Sequence, residues 1–184
     1  MQNKKIQVHK FLTALFGRET TPFDLLEVII SSVLFAGLTL LIKWNSDLSV
    51  LKIIILTTLA LDIAGGVVAN FTKGTNNYYA ESLQKRYLFV LFHLFQPSIL
   101  IWIFPNELLP VLGVSIFTLI SSILVLNIKK HYNQRIIAVT LLIFSLILSN
   151  LLNYTDPWTK MIMQLFSIKL ILAFSVNWNS MDKV

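Results

Sequence analysis

Ionisable and amide side chains set inside long apolar runs are the residues of this chain able to do chemistry. Asp62 sits in the middle of one such run and His93 well inside the next. An ionisable group at membrane depth is expensive, so it is either paired or functional. Helical steps of three or four residues place Thr58, Asp62, Gly65, Gly66, Ala69 and Asn70 on one stripe. Arg86, His93 and Gln96 or Pro97 share a face of the following helix. Counted from the same membrane side, the depths of Asp62 and His93 differ by about 5 Å at the helical rise. An Asp–His pair is therefore expected, in which the carboxylate orients the imidazole or raises its basicity. Asp62 and His93 are the candidate acid/base or ligand-orienting residues, and Asn70, Arg86, Gln96 and Tyr79 the candidate polar contacts for a ligand. Pro97 has no N–H to give the carbonyl of His93, which predicts a kink and a freed acceptor at that level.

Lys169 lies mid-span in the last apolar run, near the depth of Asp62. It competes with His93 for the carboxylate, since a buried Lys–Asp pair lowers the cost of both charges; alternatively it snorkels toward the headgroups. Other polar residues have blander readings. Gly65 and Gly66 fit a small-residue packing seam, where Leu should clash and Ala be much milder. Ser115, Thr118 and Ser122, and Ser145, Ser149 and Asn153, read as packing contacts or hydroxyls bonded back to their own helix. Tyr78 and Tyr79 are expected as interface anchors, with a lid over the polar site as the rival reading.

Several chemistries lack their residues. With no Cys there is no disulfide and no thiolate. Three His and no HExxH argue against a metal site, and no phosphate loop or nucleophile elbow occurs. No cofactor is expected. The net charge of +6 comes from 12 Lys and 3 Arg, most of them in short segments between or beside the apolar runs, so it is not a nucleic-acid signal.

The elements that must hold these residues follow from composition. Apolar residues make up 55% of the 184 and charged residues 13%, with mean hydropathy +0.72, against about 25% charged in a soluble domain. Apolar runs near 20 residues recur, each long enough to cross a bilayer core of about 30 Å. The predicted fold is an all-α, polytopic integral membrane protein. It has six transmembrane helices, at about 22–43, 50–72, 86–104, 107–128, 135–154 and 158–177, in one domain spanning 22–178. Thr21, Pro22 and Asp24 cap the first, and Asp156-Pro157 starts the sixth. Residues 72–86 form the longest polar loop.

Orientation follows the basic residues. With the N-terminus inside, Lys4, Lys5, Lys10, Arg18, Lys73, Lys85, Arg86, Lys129, Lys130, Arg135 and Lys183 are cytoplasmic, and only Lys43, Lys52 and Lys160 are outside. Both termini are thus expected in the cytoplasm, with 179–184 as a tail. Residues 1–21 lack the apolar core of a signal peptide. Val8, Phe11, Leu12 and Leu15 share a helical face among basic residues, which predicts an amphipathic helix on the inner leaflet.

In length and six-span layout the chain is similar to the substrate-binding subunits of energy-coupling-factor vitamin transporters; the likeness covers the hydropathy of the whole chain and no motif. That resemblance implies transport. The residues themselves favour a cytoplasm-facing polar pocket of a cell-membrane protein that binds or processes a small amphiphilic or lipid-derived molecule. A non-catalytic interaction protein, with a membrane-protein partner or a second copy, is the third reading.

Overall fold

The computed structural model describes residues 5–178; Lys4, Lys183 and the expected tail 179–184 lie outside them. At the N-terminus, strands β1 (Ile6–Gln7) and β2 (Glu19–Thr20) pair antiparallel, Ile6 opposite Thr20. Between them lie a 3-10 turn, Lys10–Leu12, and a single helical turn, α1 (Thr13–Phe16). The expected amphipathic surface helix is thus corrected to a folded hairpin. Gly17, at φ 73°, reverses the chain after α1, and Val8 N–H bonds the Arg18 carbonyl across the hairpin at 3.0 Å. Phe11 is 87% exposed, so an apolar face remains at the surface.

The long helices start at local caps. Thr21 and Asp24 form a reciprocal capping box with Pro22 in the first turn, opening α2 (Pro22–Lys43). Ser49 caps α3 (Val50–Phe71). Thr72 then starts α4 (Lys73–Ala80), a helix where a loop was expected. The next span is α5 (Leu83–Phe92) followed by α6 (Phe95–Ile103), broken at His93-Leu94. The kink that Pro97 predicts is present, but the His93 carbonyl is not free: Gln96 N–H reaches it at 3.4 Å. A 3-10 turn, Pro105–Glu107, leads into α7 (Leu108–Leu126), then α8 (His131–Leu151) and α9 (Pro157–Ser167). The last helix widens into a π-helix over Ile168–Phe174.

Among the described residues, five helices are long and apolar enough to cross a membrane: Pro22–Lys43, Val50–Phe71, Leu83–Ile103, Pro105–Leu126 and His131–Leu151. The protein is therefore an all-α polytopic membrane protein, with five such helices where six were expected. The sixth predicted element is helical, but it runs through the middle of the others. Ile162, Met163, Phe166, Leu170 and Ile171 are at most 1% exposed. A helix shielded from lipid has no need of an all-apolar surface, and this one carries Thr159, Lys160, Gln164, Ser167 and Lys169. The spans around it turn large side chains outward instead, such as Leu34, Leu41, Leu109 and Leu151. The core joins Leu56, Ile63, Leu100, Val111, Val114, Ile162 and Phe166.

Side chains close both ends of the bundle. At one end the terminal carbonyls of the last helix, orphaned by its ending, are met from three other elements. Arg86 Nη2 donates to the Phe174 carbonyl (2.7 Å), Gln134 Nε2 to Ser175 (3.2 Å) and Asn76 Nδ2 to Val176 (3.0 Å). The N-terminal hairpin docks at this end on α4, Thr75 Oγ1 donating to the Leu15 carbonyl and Arg18 pairing with Glu81. At the other end Lys43 pairs with Asp156 at 2.6 Å. There the buried Glu107 carboxylate accepts from Thr155 N–H, Thr155 Oγ1 and Asp156 N–H. Both limits of the described chain therefore lie at one end of the bundle.

Candidate functional site

The stripe on α3 meets the bundle through its small residues. A Cβ on Gly65 would lie 2.0 Å from Ser32 Oγ on α2, and one on Gly66 would lie 2.4 Å from Lys169 Cε. Both glycines are thus packing residues, as expected, and a methyl on either would have to displace a side-chain end, the Ser32 hydroxyl or the head of Lys169. The absence of a side chain at Gly66 is what lets the Lys169 stem cross α3. Its ammonium then reaches Asp62, with Nζ 2.8 Å from Oδ2 and 3.3 Å from the Asp62 carbonyl. Gln96 Nε2 donates to the same carboxylate oxygen. Of the two partners in competition for Asp62, Lys169 takes it.

His93 is placed by its own helix. Its Nδ1 bonds the Phe89 carbonyl one turn back at 2.7 Å, so Nδ1 carries the proton. Its ring packs against Phe89, with centroids 4.2 Å apart. The expected hydrogen-bonded Asp62–His93 pair is therefore not formed. Both residues nonetheless line one cavity of about 770 Å³ between α3 and the α5–α6 pair.

The cavity has two kinds of wall. Ile55, Leu59, Leu88, Phe89, Phe92, Phe95 and Ile99 make it apolar, and the polar lining gathers Asp62, Asn70, His93, Gln96 and Lys169. The Asp62 side chain is 44% exposed and Lys169 only 2%. Two polar atoms of this group are buried without a protein partner, Asn70 Nδ2 and Gln96 Oε1, although buried polar atoms ordinarily have one. The end nearest the hairpin is closed by Ala14, Leu15, Tyr78, Tyr79 and Lys85.

Tyr79 is not an interface anchor. It is 8% exposed and packs edge-on to Phe89 and Phe174. Its hydroxyl donates to the Ala14 carbonyl at 3.1 Å, holding the hairpin over the cavity. Burial first, and the neighbouring Tyr78 second, push its pKa up to about 12, so it stays a donor at neutral pH. Arg86 does not reach the cavity, being spent on the Phe174 carbonyl and ring. Ser145, Ser167 and Thr118 bond one another in the core, as the packing reading expects. No group of three His, Cys, Asp or Glu suited to a metal occurs among the described residues.

The sequence reading passed over Phe89, Phe92 and Phe95, which make much of the apolar wall. Their spacing of three is a weak signal in a chain with 13 Phe. No protein-family model, curated protein or solved structure matches the chain. The likeness to energy-coupling-factor subunits rests on span layout alone.

Proposed function

We propose that this chain is a multi-pass protein of the cell membrane that binds a small amphiphilic or lipid-derived molecule in the cavity between α3 and α5–α6. The observation that carries the proposal is the pairing of an apolar wall with two buried, unpartnered polar atoms, Asn70 Nδ2 and Gln96 Oε1. Such atoms in an otherwise apolar site fix a ligand's orientation, while the walls supply most of the contact. The ligand's polar end would meet Asp62, Asn70, His93 and Gln96. Its tail would lie along Leu88, Phe92 and Phe95, which are 60%, 68% and 63% exposed on the outside of the bundle.

Binding is favoured over catalysis. Lys169 and Gln96 hold one oxygen of Asp62, and Thr58, the one aliphatic hydroxyl in the lining among the described residues, donates back to the Ile54 carbonyl. The end carrying Lys5, Lys10, Arg18, Lys73, Lys85, Arg86, Lys129, Lys130 and Arg135 would face the cytoplasm, and the hairpin would then lie at the inner leaflet.

Native mass spectrometry of the purified protein tests the reading. An amphiphile should copurify with the wild type and be lost from Ile99→Trp, which fills the cavity from its apolar wall. Retention in that variant, or a protein carrying only annular lipid, would sink the proposal. A water-soluble ligand in its place would favour the transport reading.

A further inference from the structure

The hydrogen-bonding capacity left open in the cavity selects among head groups. Asp62 accepts through Oδ2 from Lys169 and Gln96, and Oδ1 has no protein partner among the described residues. Because a carboxylate only accepts, the Gln96 amide is fixed with its nitrogen toward Asp62, and Oε1 is left as a buried acceptor. The Nδ1 proton of His93 goes to Phe89, which leaves Nε2 as an acceptor in the neutral ring. Against these three acceptors stand three N–H donors, two on the Asn70 amide and the one on Lys169 not directed at Asp62. The charges of Asp62 and Lys169 cancel.

Resting on the binding reading above, we infer that the ligand's head group is uncharged and rich in hydroxyls, as in an acylglycerol or a glycosylated lipid. A hydroxyl donates and accepts at once, so two or more satisfy this mixed set. A carboxylate or phosphate brings only acceptors, which leaves Asp62 Oδ1, Gln96 Oε1 and His93 Nε2 unmet and sets a second anion beside Asp62. An ammonium brings only donors and adds a charge that Lys169 opposes. A site built to hydrogen-bond hydroxyls discriminates strongly, because the wrong head group leaves buried atoms unpaired.

The experiment compares probes that share one acyl or alkyl chain: monooleoylglycerol, oleate and oleylamine. Each is titrated into the full-length protein held in amphipol, which has no sugar head groups to compete. Monooleoylglycerol should bind roughly tenfold or more tightly than either charged probe, the ratio that one retained hydrogen bond gives. Gln96→Leu should reduce that preference while binding of the chain persists, and Asn70→Leu serves as a second variant should the first not fold. Equal or tighter binding of oleate or oleylamine would overturn the head-group inference and leave the binding reading intact. Failure of all three probes to bind would overturn the reading itself. A preference unchanged in both variants would show that these residues do not set it.

Discussion

The ion pair of Asp62 and Lys169 should be unequal in its two halves. At 2.8 Å and an effective dielectric of about 20, their gross attraction is about 6 kcal/mol before desolvation is subtracted. What remains when one partner is removed depends on where the other is left. Asp62→Asn strands the ammonium of a residue that is 2% exposed, and loss of one partner of a buried pair costs about 3–5 kcal/mol. Lys169→Met leaves a carboxylate that is 44% exposed to the cavity and still accepts from Gln96. Solvation there discounts the loss to about 1–2 kcal/mol. The double variant should recover much of the Asp62→Asn loss, since it removes the stranded charge.

Equilibrium unfolding in mixed detergent micelles measures all three variants, with His93→Gln added. Asp62→Asn and His93→Gln share a cavity wall but no hydrogen bond, so they should couple more weakly than Asp62→Asn and Lys169→Met, which should couple by more than about 1 kcal/mol. If Lys169→Met were the more damaging single change, or if coupling appeared only with His93→Gln, the assignment of Asp62 to Lys169 would be refuted. The expected Asp–His pair would then return.

Three further outcomes are expected. Gly74→Ala should release the N-terminal hairpin, because a Cβ there would sit 2.2 Å from the Glu19 carbonyl oxygen and 2.5 Å from that of Phe16; proteolysis near Gly17 should speed up while the spans stay folded, and an unchanged rate would count against the docking. Burial opposes ionisation of Asp156, but its bonds to Lys43 and Thr159 outweigh burial and hold its pKa below the usual 3.8. Its contribution is therefore present above that value and lost as pH falls through the lower folded value, so the stability gap between wild type and Lys43→Met, about 1–3 kcal/mol near neutrality, should narrow in acid; a gap flat across that range would contradict the pair. For sidedness, a single Cys at the exposed Lys130 should resist an impermeant thiol reagent in intact cells and one at the exposed Asn106 should react, the reverse pattern inverting the topology.

Much of the architecture was legible because its signals are local. Thr21, Pro22 and Asp24 announce a helix start that forms as written, and Pro97 marks the break at His93-Leu94. Helix α4 was not legible, because its polar sequence, KGTNNYYA, has no apolar stripe, and only the Thr72 cap hinted at it. The number of apolar spans was misread because length and hydropathy do not say whether a helix faces lipid or neighbours. The buried positions of Thr159, Ser167 and Lys169 were the available sign that the last helix is enclosed.

The candidate site divides along the same line. Depth follows from counting residues, so Asp62, His93 and Lys169 were expected near one level, and all three line the cavity. Direction around each helix axis does not survive a change of helical register, and two such changes lie at the site. The break after Phe92 separates Arg86 from the face that Gln96 presents, and Arg86 turns to the Phe174 carbonyl instead. The π-helix over Ile168–Phe174 bonds each N–H five residues back rather than four, as Ser175 N–H does to Leu170. Lys169 stands at its start, and the missing side chain of Gly66 clears the way to Asp62. One glycine on one helix and a widened turn on another thus decide which partner the carboxylate takes. That choice leaves His93 Nε2 without a bond to Asp62, while Gln96, bonded to Asp62 through Nε2, keeps Oε1 as a buried acceptor with no protein partner.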